Sequence, residues 1–177
     1  MSDARRTFET HVLPHLDAAY NLARWLLRSD QAAQDAVQEA SMRAFRYVDS
    51  LRVPTARAWL LGIVRNTCYS MLERQRQEPD LLEFDEEAFA AELGAHAAQS
   101  ADPQAQWQQQ RTRTQIDAAI RALTPALREV IVLREFEELD YAQIAEILAV
   151  PIGTVMSRLS RARQRLRDAL AQVRLGE

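Results

Sequence analysis

Apolar residues recur at steps of three and four positions along most of the chain, and this spacing restricts the fold more than any other feature. It places the apolar side chains on one face of each of a series of α-helices. The 177 residues include only four glycines and six prolines, so few positions favour the end of a helix. The pattern predicts an all-α protein.

The helical spacing is lost in one long segment, Pro79 to Gln110, which is rich in acidic residues, alanine and glutamine. This composition is typical of a flexible linker, here with one short helix predicted over Asp85 to Leu93. The sequence therefore predicts two small helical domains, residues 1–78 and residues 108–177, joined by a flexible acidic linker of residues 79–107.

Three helices are predicted before the linker. The first runs from Phe8 to Leu27, the second runs from Gln31 to Tyr47, and the third begins after Pro54, where Thr55 is a suitable N-cap. The apolar stripe of the second helix is narrow and rich in alanine: Ala33, Val37, Ala40, Ala44 and Tyr47. Small side chains there would allow close packing against the neighbouring helices.

The composition disfavours membrane and metal-binding proteins. The longest apolar runs, such as Trp59 to Val64, are far shorter than the roughly 20 residues of a membrane-spanning helix, and the first residues do not form a signal peptide. The single cysteine, Cys68, allows no intrachain disulfide and no thiolate-rich metal site. We therefore expect a cytoplasmic protein with no membrane insertion, no metal and no cofactor.

An enzyme is the weakest hypothesis for this sequence. His11 and His15 are four positions apart and would share a helix face, but no set of carboxylates or cysteines lies near them in the sequence. The chain also has no motif for a nucleophile, a phosphate loop or a cofactor. We expect a protein that is not an enzyme.

The formal net charge of −3 conceals a strong asymmetry along the chain. Residues 78–102 contain eight acidic residues and no arginine, whereas residues 151–177 contain six arginines and only two acidic residues. A basic segment at the end of an acidic protein indicates a separate role for that segment.

The same C-terminal segment has the pattern of a helix-turn-helix. Asp140 is placed to cap a short helix that ends at Leu148, Val150 to Gly153 interrupt the pattern, and a longer helix follows from about Thr154. Four apolar residues of the longer helix form one stripe that must pack on the preceding helices: Val155, Leu159, Ala162 and Leu166.

The opposite side of the longer helix is polar at its centre and basic at its edges. The central residues are Ser157, Ser160, Arg161 and Gln164, and the edges carry Arg158 and Arg165 on one side and Arg163 and Arg167 on the other. Hydroxyl and amide groups suit base edges in a major groove, and arginines suit phosphates. We interpret this helix as DNA-binding. The alternatives are a solvated basic surface and arginines that only offset the helix dipole.

Three segments in this order resemble those of the extracytoplasmic-function sigma factors of bacteria: DAVQEASMRAFR at Asp35 to Arg46, AWLLGIVRNTCYSMLERQRQ at Ala58 to Gln77, and GTVMSRLSRARQRL at Gly153 to Leu166. The resemblance covers nearly all of the chain. It implies two helical domains, the second ending in a helix-turn-helix, and an alternative sigma factor that directs RNA polymerase to specific promoters for transcription initiation.

The resemblance also implies partners and roles for individual residues. The first domain would dock on the β′ clamp helices of core RNA polymerase through Asp35, Gln38, Glu39 and Arg43, and the second would contact the β flap. The minus-10 element of promoter DNA would contact Leu51, Arg65, Asn66, Tyr69, Arg74 and Arg76. The minus-35 element would contact Thr154, Ser157, Arg158, Ser160, Arg161, Gln164 and Arg165. An anti-sigma factor is expected as a further partner.

The sequence departs from the family pattern at four positions: Ser41, Leu51, Ala149 and Met156. Leu51 stands where many relatives carry an aromatic residue, Ala149 replaces a common glycine in the turn, and Met156 occupies a position that is commonly basic. Two alternatives to a sigma factor remain at this stage. One is another helix-turn-helix transcription regulator, and the other is a helical adaptor that binds only protein.

Overall fold

The computed structural model describes residues 3–52, 55–77 and 103–175, and all regular secondary structure in these ranges is helical. Most of the predicted linker, with the short helix predicted over Asp85 to Leu93, lies outside the described residues. The helices are α1 (Asp3–His11), α2 (Leu16–Leu27), α3 (Asp30–Arg46), α4 (Ala56–Gln77), α5 (Pro103–Arg121), α6 (Pro125–Ile131), α7 (Tyr141–Leu148) and α8 (Ile152–Leu175). The all-α prediction is confirmed.

Helices α2, α3 and α4 pack against one another and form the core of the first domain. The fully buried residues of α3 are all alanines, Ala33, Ala36, Ala40 and Ala44, and the partly buried Val37 packs against the same core. Because the distance between packed helices depends on the side chains between them, the alanines let α3 lie close to its neighbours. Tyr47 does not join this stripe as predicted, since α3 ends at Arg46 and the Tyr47 side chain is 58% exposed.

The predicted single helix from Phe8 to Leu27 is broken near Pro14. Helix α1 ends at His11, a 3₁₀ turn spans Leu13–His15, and α2 begins at Leu16. Proline has no N–H to donate and its ring collides with the preceding turn of a helix, so the chain changes direction there. The apolar spacing continues through the break because both helices pack on the same core.

The second domain starts earlier than its spacing predicts. Helix α5 begins at Pro103, inside the segment assigned to the linker. On α5, Ile116 is 39% exposed, whereas Ala119 and Ile120 are buried. Helix α6 follows Thr124 with Pro125 at its first position, and it continues into a π-helical turn over Val132–Phe136.

Helices α7 and α8 form the predicted helix-turn-helix, with a bend of 102° between them. The Asp140 carboxylate accepts from Gln143 N at 2.8 Å while Gln143 Oε1 accepts from Asp140 N at 3.0 Å, which is a capping box. Ala149 ends α7 in the left-handed conformation, with φ at 52°. Helix α8 begins at Ile152, two residues before the predicted start.

No single helix in the described ranges is long and apolar enough to cross a membrane, and one bent pair, α7 with most of α8, passes by length and composition alone.

Ala149→Gly should stabilise the second domain, because glycine adopts the left-handed conformation without the steric strain that the Cβ atom of alanine causes. We expect the free energy of unfolding to rise by about 1 kcal/mol. The matched control is Ala142→Gly, at an exposed residue inside α7, which should lower the free energy of unfolding by about 1 kcal/mol. Urea denaturation of both variants measures the difference, and equal destabilisation would contradict the geometry of the turn.

Candidate nucleic-acid interface

The buried and exposed sides of α8 are the ones that the spacing of its apolar residues predicts. Val155, Leu159 and Ala162 are fully or almost fully buried against the second domain. The opposite side carries five exposed polar or basic residues: Ser157, Ser160, Arg161, Gln164 and Arg165. Helix α8 therefore presents a polar and basic surface about two and a half turns long, from Ser157 to Arg165, along its solvent side.

Arg161 and Arg165 are exposed, and neither makes an ion pair within the described part of the chain. Gln164, which lies between them in sequence, donates to Asp168 Oδ1 at 2.8 Å and accepts from Arg167 Nη2 at 2.6 Å. A solvated guanidinium without an internal ion pair binds an anion without breaking a bond within the protein. These two arginines are therefore accessible to an anionic ligand at the surface of α8.

Two other arginines of α8, Arg158 and Arg163, lie within ion-pair distance of carboxylates inside the protein. Arg163 Nη2 donates to Glu135 Oε1 at 2.7 Å, in an exposed pair within the second domain. Arg158, predicted to contact DNA, is partly buried, with Nη1 3.7 Å from Oε1 of the buried Glu129. Thr154 is half-buried, and its carbonyl accepts from the Ser157 hydroxyl at 3.0 Å.

The residues predicted to contact the minus-10 element fall into two groups in the structure. Asn66, Arg74 and Arg76 are exposed on α4, and Leu51 is half-buried against the core of the first domain. Arg74 also lies 3.7 Å from Glu39 of α3. This first group is accessible to a ligand.

The second group, Arg65 and Tyr69, is covered by the second domain. Arg65 donates to both oxygens of Glu129, with Nε at 2.9 Å and Nη2 at 3.2 Å, and the Tyr69 hydroxyl donates to Oε2 at 3.0 Å. The Arg65 guanidinium also lies 4.6 Å from the centre of the Tyr69 ring. Burial and then the neighbouring charge of Glu129 raise the pKa of Tyr69 to about 12, so its hydroxyl stays protonated and donates.

Sequence reasoning missed Glu129 and a second buried carboxylate, Glu137. Glu137 accepts from Arg57 Nη2 and Asn21 Nδ2 of the first domain, both at 2.5 Å. Glu129 and Glu137 are 2% and 3% exposed, respectively. Their hydrogen-bond donors in the first domain lie 60 or more positions away in sequence, and no local pattern indicates such pairing.

The residues predicted to bind polymerase lie together on the side of α3 opposite its alanines. Asp35 and Gln38 are exposed, and Glu39 forms an ion pair with Arg43 one turn later. Beside them Met42 and Phe45 are large apolar side chains that are 63% and 45% exposed. Met42 and Phe45 were not predicted as part of this surface, although apolar positions on the polar side of an amphipathic helix signal a contact surface.

Comparison with known proteins places these features in one family. Residues 11–78 match the family model Sigma-70 region 2, and residues 113–166 match Sigma-70, region 4. The RNA polymerase sigma-H factor of Pseudomonas aeruginosa is 33% identical over 94% of this chain and 87% of its own length. The chain belongs to the sigma-70 family, in its extracytoplasmic-function group.

Other relatives of this sigma factor are also extracytoplasmic-function (ECF) sigma factors. The ECF RNA polymerase sigma-E factor of Escherichia coli K12 is 36% identical over 73% of this chain and 69% of its own. The ECF sigma factor SigE of Mycolicibacterium smegmatis is 32% identical over 96% of this chain, which spans 63% of that relative. Sigma factors direct RNA polymerase to promoters, and this chain is a sigma factor of the alternative kind.

One solved structure is similar to this sigma factor over both domains. It is the sigma factor RpoE in complex with the anti-sigma factor NepR from Bartonella quintana, with 32% identity, a TM-score of 0.71, and coverage of 93% of this chain and 96% of that one. A superposition that extends over nearly the whole of both chains confirms the two-domain helical fold.

Cys68 is unsuited to act as a ligand or nucleophile in this sigma factor. It lies fully buried in α4, and burial raises the pKa of its thiol to about 12. Since the thiolate is the reactive form, only about one molecule in ten thousand is reactive at pH 8.

Native Cys68 should therefore react with iodoacetamide far more slowly than an ordinary thiol, and unfolding in urea should restore the normal rate. The matched control is Ser70→Cys, which adds an exposed thiol two residues away on the same helix. Mass spectrometry of peptides after timed labelling compares the two sites. Equal rates at both sites in the native protein would show that Cys68 is not buried.

Proposed function

We propose that this sigma factor binds core RNA polymerase through α3 and recognises a promoter with two surfaces, α4 for the minus-10 element and α8 for the minus-35 element. The observation that carries the proposal is the solvent face of α8, where Arg161 and Arg165 stand exposed and unpaired within the described residues. The proposed role is non-enzymatic. The proposed location is the cytoplasm, since RNA polymerase works there.

The chemistry of α8 supports recognition in a major groove. A major groove admits one α-helix, and the first turns of that helix contact the base edges. Arg161 lies near the centre of the exposed side and is suited to a bidentate contact with guanine. Arg165 lies nearer the edge, where a guanidinium meets phosphate. Thr154, Ser157, Ser160 and Gln164 supply further hydrogen-bonding groups on the same helix.

The surface of α3 supports docking on another protein rather than on DNA. It combines the exposed groups of Asp35 and Gln38 and the Glu39–Arg43 pair with two exposed apolar side chains, Met42 and Phe45. Acidic groups repel phosphate, whereas a mixed polar and apolar surface is typical of a protein interface. We assign this face to the β′ clamp helices, and we assign the second domain to the β flap by family resemblance.

An anti-sigma factor is the further partner that we propose. The support is the B. quintana structure, in which a similar sigma factor is bound by an anti-sigma factor. Capture of a partner other than polymerase from the native cell tests this assignment.

Arg161→Ala should lose discrimination among minus-35 sequences, because one base contact is worth roughly 1–3 kcal/mol. Arg165→Ala should instead weaken binding to all sequences about equally and reduce the salt dependence by about one charge. Transcription by the holoenzyme from a panel of minus-35 variants, at several salt concentrations, measures both effects.

Leu159→Asp is the control for folding, since a carboxylate in the buried side of α8 should unfold the second domain. If Arg161→Ala kept the wild-type ranking of promoters while Arg165→Ala changed it, the assignment of the base-contacting side would be wrong.

Asp35→Arg should weaken binding to core polymerase about tenfold, because it reverses a charge in the proposed docking surface. The matched control is Glu73→Arg, which makes the same kind of reversal at an exposed position of α4. Titration of fluorescently labelled sigma factor with core enzyme measures both affinities. Equal loss of affinity for core polymerase in the two variants would indicate a general effect of charge. The assignment of α3 to polymerase binding would then be wrong.

A further inference from the structure

Two large apolar side chains lie exposed at the beginning of α8. Ile152 and Met156 are 47% and 54% exposed, respectively. They are four positions apart on one helix, so their side chains are neighbours on its surface. Single exposed apolar residues are common in proteins, whereas two that adjoin each other beside a ligand-binding surface indicate a contact. The first turns of α8 therefore carry a small apolar patch, formed by these two residues.

The apolar patch continues the exposed side of α8 toward the start of the helix. At about 100° per residue, Met156 lies only about 40° around the helix from Ser160, one turn later. Ser160 and Ser157 are exposed hydroxyl groups on the side that we assign to base edges. In a helix-turn-helix the N-terminal residues of the second helix contact the bases. Met156 is thus placed where a base contact is expected, although it offers no hydrogen bond.

Gly153 is a second, independent sign of a ligand at the same place. It is exposed in the first turn of α8, and a Cβ atom there would meet no packing partner within 4 Å. Its φ angle is not in the left-handed region. Packing and backbone conformation in the described chain therefore do not require glycine, which is a poor helix former. Glycine does allow close approach of another molecule, and Gly153 adjoins Met156 at a spacing of three positions.

The size and the surroundings of the apolar patch favour DNA over a protein partner. Stable protein interfaces bury about 800 Å² on each partner, far more than two side chains and a glycine can cover. The patch is continuous with the side of α8 that carries Ser157 and Arg161, so the same ligand meets both. Among the bases, only thymine presents an apolar group in the major groove, its 5-methyl group. The chemistry of the patch therefore matches one base.

We propose that Met156 selects a thymine of the minus-35 element by apolar contact with its 5-methyl group, and that Gly153 lets the first turn of α8 come close enough for this contact. The inference rests on the proposed function and deepens it, because it names a base type that one side chain recognises. Methionine is unbranched and flexible, so its thioether can follow the position of a methyl group. Arg161 recognises guanine by hydrogen bonds, and Met156 adds an apolar contact nearer the start of the helix.

The test begins with the promoter sequence that the holoenzyme prefers. Transcription from a library randomised across the minus-35 element, followed by sequencing of the transcripts, gives that sequence. Each thymine, on either strand, is then replaced by uracil, which lacks only the 5-methyl group. We expect one such replacement to weaken binding of the wild-type holoenzyme about fourfold, the value of burying one methyl-sized group.

Met156→Ala should remove this sensitivity. The variant holoenzyme should bind the thymine promoter about as weakly as the wild type binds the uracil promoter, and it should not distinguish the two. The matched control is Ile116→Ala, which shortens another exposed apolar side chain of the second domain, on α5. This control should keep the wild-type difference between thymine and uracil. Fluorescence anisotropy of labelled promoter duplexes measures all of these affinities.

Gly153→Ala tests the close approach separately from the fold. Because the added methyl group has open space around it, the melting temperature should not fall. Promoter binding should nevertheless weaken, and the difference between thymine and uracil should shrink. A lower melting temperature with unchanged discrimination would show that Gly153 serves the fold alone, and its part in the proposal would be wrong.

The same assays separate this inference from the proposed function. If the holoenzyme initiates at no member of the library, the proposed function itself fails. If it selects minus-35 sequences but no uracil replacement changes binding, only the role of Met156 is wrong. The same conclusion follows if the preferred element contains no A·T pair, or if Met156→Ala distinguishes thymine from uracil as well as the wild type does.

Discussion

A carboxylate taken out of water must be met by cations and hydrogen-bond donors, and this requirement determines how the two domains of the sigma factor fit together. Glu129 and Glu137 are both almost fully buried, and each draws its donors from the other domain. Desolvation of such pairs offsets much of their attraction, so they contribute specificity of position more than net stability. An interface built on them can form in one geometry and still open when a partner competes for it.

Most of the fold could be predicted from the sequence because the spacing of apolar residues over a few positions indicates each helix. The stripe Val155, Leu159 and Ala162, the cap at Asp140 and the turn before α8 all follow from neighbours within a few positions. The errors have local causes as well. Pro14 breaks a helix whose apolar spacing continues unchanged on both sides, and Tyr47 lies one residue beyond the end of α3, where the helical period no longer sets its direction.

The candidate site could be predicted only in part. The faces of α3 and α8 follow from helical periodicity, so exposed groups such as Asp35, Arg161 and Arg165 were placed correctly. Arg65 and Tyr69 were expected to line a path for DNA, and the structure instead shows them on Glu129, which is 64 and 60 positions away. The sequence shows that a guanidinium and a phenol are present on α4, but which anion they meet depends on how two separate domains pack.

The internal pairing also bears on why a sigma factor with an overall acidic charge can carry a strongly basic helix. Binding to DNA gains affinity from each phosphate that an arginine neutralises, by release of counterions, and this gain is independent of sequence. In the structure Arg65 and Arg158 lie within ion-pair distance of Glu129, and Arg163 lies within ion-pair distance of Glu135. Part of the positive charge is therefore balanced inside the protein, whereas Arg161 and Arg165 are exposed and make no ion pair within the described residues. The solvent side of α8 thus stays basic although the chain as a whole is acidic.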